Sequence, residues 1–388
     1  MADRSALESA VAAGIIRPDQ VAPLFDFLAT GGASASAAPP GEEDLRFIRN
    51  FHDVFLAIGI VLFAIGLAVG IGTFASGAST PEAGTLHSGG LCLAAAVVMW
   101  GLGELFARRR RLFLPAIAIV CALTAFTVFG AALLYAGALL QRELNLDFSG
   151  GVIPQEIRLG VLIAAGCAIV APALFYARFR LPFSLGLAGG GLAAFVIVAS
   201  LVYDAALTLQ YLPALYLALG LFLFSSGIVF DARDPARVSR FSDNGFWLHF
   251  AAAPLVLGGA FGLVAQAFGA EGAEAIAGPG RLIAGGDTAV VQSALTLLVV
   301  IGLGLVSLLI NRRGLIVSAL LTTGIAIGVI LNEFGLGAGA LAASVLVVLG
   351  GFVLILGAGW HGVRRALLGW VKPDGGWARI FPPETARE

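Results

Sequence analysis

Four consecutive arginines, Arg108–Arg111, stand between two long apolar runs. An arginine at mid-depth in a bilayer costs roughly 2.5–3.5 kcal/mol on insertion scales, so the four together cannot rest in hydrocarbon. The run therefore predicts a turn at a membrane surface. Because cytoplasmic connections carry the excess of Lys and Arg, this surface is predicted to be the cytosolic one.

The composition and the spacing of apolar runs indicate a polytopic membrane protein. Of 388 residues 59% are apolar and 12% are charged, whereas soluble domains carry about 25% charged residues. Apolar runs of about 20 residues, enough to cross ~30 Å of hydrocarbon, recur along the chain. We predict an all-α transmembrane helix bundle of ten spans with both termini in the cytosol, the spans being 51–76, 86–106, 112–140, 157–177, 181–203, 211–230, 245–269, 289–310, 315–334 and 338–360.

The distribution of basic residues supports this topology independently of hydropathy. With the N-terminus inside, the predicted cytosolic segments hold 20 of the 23 Lys and Arg residues. The predicted outer loops hold only Arg142, Arg158 and Arg281. A wrong number of spans would place basic residues on both sides, so the asymmetry favours ten.

Four regions are predicted along the chain. They are a cytosolic helical hairpin at 1–30, a flexible linker at 31–44, the ten-span domain at 45–362 and a cytosolic tail at 363–388. Helices as short as those of the hairpin rarely fold alone. We therefore expect residues 5–29 to dock on the membrane domain or on a protein partner. The other expected partner is the lipid bilayer, and a net charge of −1 gives no reason to expect nucleic acid.

The stretch Ala6–Leu28, ALESAVAAGIIRPDQVAPLFDFL, resembles the helical hairpin that precedes the spans in bacterial membrane proteins of the domain of unknown function 2157 family. The general plan of hairpins joined by short arginine turns is similar too. The family has no established activity, so the resemblance implies a location in the bacterial inner (cytoplasmic) membrane and carries over no functional residue. Ten spans with both termini inside also resemble the plan of drug/metabolite transporters, although no internal repeat is visible.

Ionisable residues inside a span are candidate functional groups. Glu104 lies in the last turn of the second predicted span, and His249 lies about a turn and a half inside the seventh. We expect Glu104 to pair with Arg108, four residues later on the same helical face. We expect His249 to be a hydrogen-bonded interfacial histidine, the alternatives being a ligand or a proton relay.

Polar residues also mark the outer ends of three predicted spans. These residues are Asp204, Gln266, Asn332 and Glu333. They are expected to lie in the headgroup zone, and they would form an acidic outer vestibule if spans five, seven and nine adjoin. The span centres carry only neutral polar groups, whose hydroxyls commonly bond to a carbonyl of their own helix. The lack of a central titratable group argues against an ion-coupled carrier.

No enzyme motif occurs, neither H-E-x-x-H, G-x-S-x-G nor a Walker loop. Cys92, Cys121 and Cys167 lie far apart in apolar runs, which indicates neither disulfides nor a metal site. We expect no catalytic residue, cofactor or metal. The leading hypothesis is a non-enzymatic multi-pass scaffold, sensor or assembly component. The alternative is a transporter or facilitator of a small or lipidic solute, which a polar central cavity reaching mid-depth would favour over a packed apolar interior.

Overall fold

The computed structural model describes residues 4–29, 51–142, 153–234, 240–269 and 289–310, with scattered helical positions between 339 and 369. Within these ranges the chain is helical and forms no strand. The chain divides into two compact units, 1–44 and 45–388, which are described separately.

The first unit contains the two short helices predicted for it. They are α1 (Arg4–Ala12) and α2 (Val21–Ala29), the second preceded by a 3-10 turn at Pro18–Gln20. Gly14 terminates the first helix with φ of 71°, where a side chain would be strained. The amide of Ile15 then donates to the carbonyl of Ala10 at 2.9 Å. The side-chain oxygen of Gln20 accepts from the Arg17 amide at 2.9 Å and fixes the entry into the second helix.

The second unit is a series of long helices. They are α3 (Phe51–Ser76), α4 (Pro81–Gly103), α5 (Phe113–Leu140), α6 (Gln155–Phe179), α7 (Pro182–Tyr203), the short α8 (Ala205–Gln210), α9 (Leu212–Arg233), α10 (Arg240–Ala267) and α11 (Ala289–Ile310). Helix α4 continues into a single π-helical segment at Glu104–Arg109.

Seven of the described helices, α3 to α7, α9 and α10, are long and apolar enough to cross a membrane. They coincide with the first seven predicted spans to within a few residues. Helix α11 lies on the predicted eighth span but is not among the seven. The predicted ninth span, 315–334, lies outside the described residues, and the tenth, 338–360, is described only at scattered positions.

Consecutive helices pack as hairpins. Helix α4 packs on α5, α6 on α7 and α9 on α10, while α5 also contacts α6 and α10 contacts α7. Helix α3 lies against α4 and α5. The alternating directions bring the turns after α4 and after α6 to the same end, which we call the arginine end because it carries Arg108–Arg111, Arg178 and Arg180. We call the opposite end the far end.

The two turns at the arginine end share one backbone conformation. Arg111 and Arg180 each have φ of 54°, in the left-handed region. Each is followed by an extended leucine, Leu112 or Leu181, which is the N-cap of the next helix. The left-handed conformation costs a non-glycine residue roughly 1–2 kcal/mol. The chain therefore pairs its helices through two strained turns of the same kind.

Between α4, α5 and α6, the interior near the arginine end is closely packed and apolar. Fully buried side chains from three helices meet there, Met99, Ile119, Val120 and Phe175. The ring of Phe179 stacks 4.3 Å from Phe175 and 5.4 Å from Trp100, measured between centroids. These aromatic and aliphatic groups close the bundle on that side.

Glycine lets helix backbones touch at several points. A Cβ added at Gly89 of α4 would lie 2.7 Å from the backbone nitrogen of Leu134 in α5. A Cβ added at Gly191 of α7 would overlap the carbonyl of Ala168 in α6. Because lipid supplies no hydrophobic drive between helices, such close approaches supply the packing.

Gly89→Ala should destabilise the bundle, whereas Gly90→Ala should not. The first Cβ would meet backbone, which cannot move aside, and overpacking of this kind costs about 1–3 kcal/mol. The Cβ at Gly90 meets nothing within 4 Å, so the second variant gains only the helix propensity of alanine. Thermal unfolding of the detergent-solubilised protein measures both, and equal midpoints would contradict the contact.

Candidate functional site

Glu104 joins two helices at the arginine end. Its carboxylate accepts a hydrogen bond from Arg108 Nη1 at 3.2 Å, which confirms the pair predicted within the helix. It accepts a second hydrogen bond, at 2.8 Å, from Arg178 Nε of α6. The second arginine was not anticipated, because 74 residues separate it from Glu104 in the chain. All three side chains are partly exposed, so the network orients the two turns more than it stabilises them.

A cavity of about 250 Å³ lies between these two turns and the start of α10. We call it the arginine cavity. Its charged lining residues are Arg108, Arg111, Arg178, Arg180 and Asp243, and the apolar ones include Leu112, Phe113, Leu181 and Pro182. Four cations against one carboxylate make this the most basic of the described cavities.

His249 forms a pair with Asp231 between α9 and α10. Its Nε2 lies 3.1 Å from the Asp231 Oδ2, and the histidine side chain is 2% exposed. Its ring packs 4.7 Å from that of Phe224. The expectation of a hydrogen-bonded histidine is met, but its partner lies just beyond the predicted sixth span, which ends at residue 230, whereas α9 continues to Arg233.

Two glycines make room for this pair. A Cβ at Gly227 of α9 would lie 2.7 Å from Cε1 of His249. A Cβ at Gly245 of α10 would overlap the carboxylate of Asp231. The pair therefore occupies space that larger residues at these two positions would fill. In the sequence, Gly227 lies one helical turn before Asp231, and Gly245 lies one turn before His249.

A second polar contact links α10 to α6. The amide nitrogen of Asn244, which is 3% exposed, donates to the hydroxyl of Tyr176 at 2.8 Å. The guanidinium of Arg180 lies 5.8 Å above the Tyr176 ring. Among the described residues, Asn244 Oδ1 and His249 Nδ1 have no hydrogen-bond partner. The first turns of α10 thus carry buried polar groups on two faces.

Two of the four candidate residues of the outer vestibule, Asp204 and Gln266, lie at α8 at the far end. Asp204 caps this helix, since its Oδ1 accepts from the amide of Leu207 at 2.9 Å. Gln266 donates to the carbonyl of Gln210, the last residue of α8, at 2.8 Å. The two residues therefore hold opposite ends of one short helix. Asn332 and Glu333 lie outside the described residues, and the vestibule stays a prediction.

The far end also has a cavity of about 660 Å³ between α3, α4 and α5. We call it the far-end cavity. Small residues and hydroxyls line it from Thr80 to Cys92. Cys92 lies eleven residues into α4, about 16 Å at 1.5 Å per residue, which is close to half of a ~30 Å hydrocarbon core. The hydroxyls of Thr85 and Ser88, which line the cavity, donate to carbonyls of their own helix.

The chain matches no protein-family model, no curated protein and no solved structure. The resemblance of Ala6–Leu28 to the domain of unknown function 2157 family therefore remains a prediction. What is shown is a helical protein whose described part contains seven helices suited to spanning a membrane.

Asp231→Asn and His249→Gln should each destabilise the protein, and their effects should not add. Each variant removes one member of this buried hydrogen-bonded pair, at a cost of about 1–3 kcal/mol. The double variant should lose less than the sum, with a coupling of roughly 0.5–3 kcal/mol. Equilibrium unfolding in mixed detergent and SDS micelles gives the four free energies. Strictly additive losses would show that the two side chains do not interact.

Proposed function

We propose that the chain is a ten-span protein of the bacterial inner membrane with both termini in the cytosol. The arginine end is then the cytosolic end. The support is the positive-inside asymmetry, which places 20 of 23 basic residues on one side of the predicted spans. The seven described helices have the alternating directions that this topology requires.

We further propose that the protein acts without catalysis, as a scaffold, sensor or assembly component. The observation that carries this proposal is the packed apolar cluster between α4, α5 and α6 near the arginine end. Hydroxyls within the helices donate to carbonyls of the preceding turn, as expected, and so do not offer their hydrogen to a solute; these are Thr124, Thr127, Ser200 and Ser226. The buried cluster that α4, α5 and α6 form in this half is apolar.

The N-terminal hairpin is the proposed site for a protein partner. Ile15, in the turn between its two helices, is 75% exposed. Helices this short bury little apolar area and rarely fold alone, so this unit is expected to dock on another surface.

The far-end cavity supports a second candidate, a facilitator of a lipidic solute. The cavity lies at the far end, reaches about mid-depth and is lined mainly by small and apolar residues. Such a groove suits an acyl chain better than an ion, because it offers few free polar groups. We place this candidate after the scaffold, because the packed apolar cluster between α4, α5 and α6 separates the cavity from the arginine end.

Single-cysteine labelling tests the topology. Cys92, Cys121 and Cys167 are first replaced by alanine. In intact cells an impermeant maleimide should label Ser79→Cys and Ala284→Cys, since both positions belong to predicted outer loops. It should label Arg109→Cys and Ala378→Cys only after lysis. Labelling of Ala378→Cys in intact cells would mean an odd number of spans, and labelling of Arg109→Cys would invert the topology.

A lipid-scrambling assay separates the two candidate functions. Vesicles carry a fluorescent phospholipid that external dithionite bleaches only in the outer leaflet. A scaffold should leave bleaching at the level of empty vesicles. Complete bleaching that Gly72→Leu abolishes and Gly66→Leu retains would favour the facilitator instead. Gly72 lines the far-end cavity and Gly66 does not, and a Cβ at either position meets nothing within 4 Å, so both variants should fold.

A further inference from the structure

The two turns at the arginine end direct their cationic side chains toward one space. Arg108 and Arg111 come from the first turn, Arg178 and Arg180 from the second, and all four line the arginine cavity. Arg108 and Arg178 share the carboxylate of Glu104. Arg111 and Arg180 form no ion pair with a described carboxylate.

The same turns begin two helices whose N-termini face this space. Helices α5 and α7 have Leu112 and Leu181 as N-caps, and neither helix has a side-chain hydrogen bond to its first amides. Both leucines line the cavity. The positive ends of two helix dipoles therefore add to the field of the guanidinium groups.

The conformation of Arg111 and Arg180 points to a use for their side chains. Asparagine and glycine are the residues that adopt the left-handed region cheaply. The chain instead places arginine there twice, at φ of 54° in both turns. Arg180 is the C-cap of α6, a position where a left-handed residue is common but is usually glycine or asparagine.

The charge, size and depth of the cavity fit a phosphate group. Four arginines against Glu104 and Asp243 leave about two positive charges, and a phosphate monoester carries about −1.5 to −2. About 250 Å³ equals the share of roughly eight waters, room for a phosphate and its hydration. The Trp247 ring, stacked near Phe113 and Phe183 at the helix starts, is typical of headgroup depth.

We propose that the arginine cavity binds a phosphate group, presented by an anionic phospholipid of the adjacent leaflet or by a small phosphorylated solute. Arg111 and Arg180 would supply charge-assisted hydrogen bonds to its oxygens. The amides of Phe113 and Leu114 in α5 and of Phe183 in α7 would face the same oxygens, because Pro115 and Pro182 have no N–H. This inference needs only that the arginine end lies at the membrane surface, not that the chain has ten spans.

The test uses the full-length protein and two double variants of equal charge loss. Arg111→Asn with Arg180→Asn removes the two cavity cations and suits the left-handed backbone, so the unliganded variant should unfold at or above the wild-type temperature. Arg109→Gln with Arg110→Gln is the control, because neither residue lines the cavity. The readout is the unfolding temperature, which rises when a ligand binds the native state.

In the lipid arm, nanodiscs of phosphatidylcholine are compared with nanodiscs that also contain phosphatidic acid. In the solute arm, inorganic phosphate is compared with sodium chloride at equal ionic strength. Wild type and the control should be stabilised in at least one arm, and the cavity variant should bind about tenfold more weakly. Stabilisation by phosphatidic acid alone identifies a headgroup, and stabilisation by inorganic phosphate identifies a soluble ligand. No stabilisation in either arm, or equal loss in both double variants, would overturn the proposal.

Discussion

The cost of moving a charged side chain into hydrocarbon is the constraint on which the bundle depends. Arginine avoids the membrane interior, so the turns that carry Arg108–Arg111 and Arg178–Arg180 lie at one end and the helices between them must be apolar. The two turns then face each other, and Glu104 links them through both sets of cations. The exclusion of charge from hydrocarbon acts on each turn separately, and as a result the arginines of both turns lie close together.

Glycine has two different functions in this structure. At Gly89 and Gly191 it brings two backbones into contact, which replaces the hydrophobic drive that lipid does not supply. At Gly227 and Gly245 it instead leaves room for the side chains of Asp231 and His249. The same residue type therefore permits tight apolar packing in one hairpin and a buried polar pair in another.

Most of the local structure could be predicted from the sequence, because it depends on short-range patterns. Apolar run length predicts the seven described spans, and i, i+4 spacing predicts the pair of Glu104 with Arg108. The pairing of Asp231 with His249, the second partner of Glu104 and both cavities depend on which helices become neighbours. The apolar spans look alike on every face, so hydropathy does not specify those neighbours.

The left-handed arginine turns have a mechanical consequence. Each leaves only a short segment between the end of one helix and the start of the next, at Arg110–Leu112 and at Arg180–Leu181. Because each connection is only two or three residues long, we expect that neither helix of a pair can slide or tilt far without moving its partner. Any motion of these helices is therefore expected to move the pairs α4–α5 and α6–α7 as rigid bodies that rotate about their turns at the arginine end.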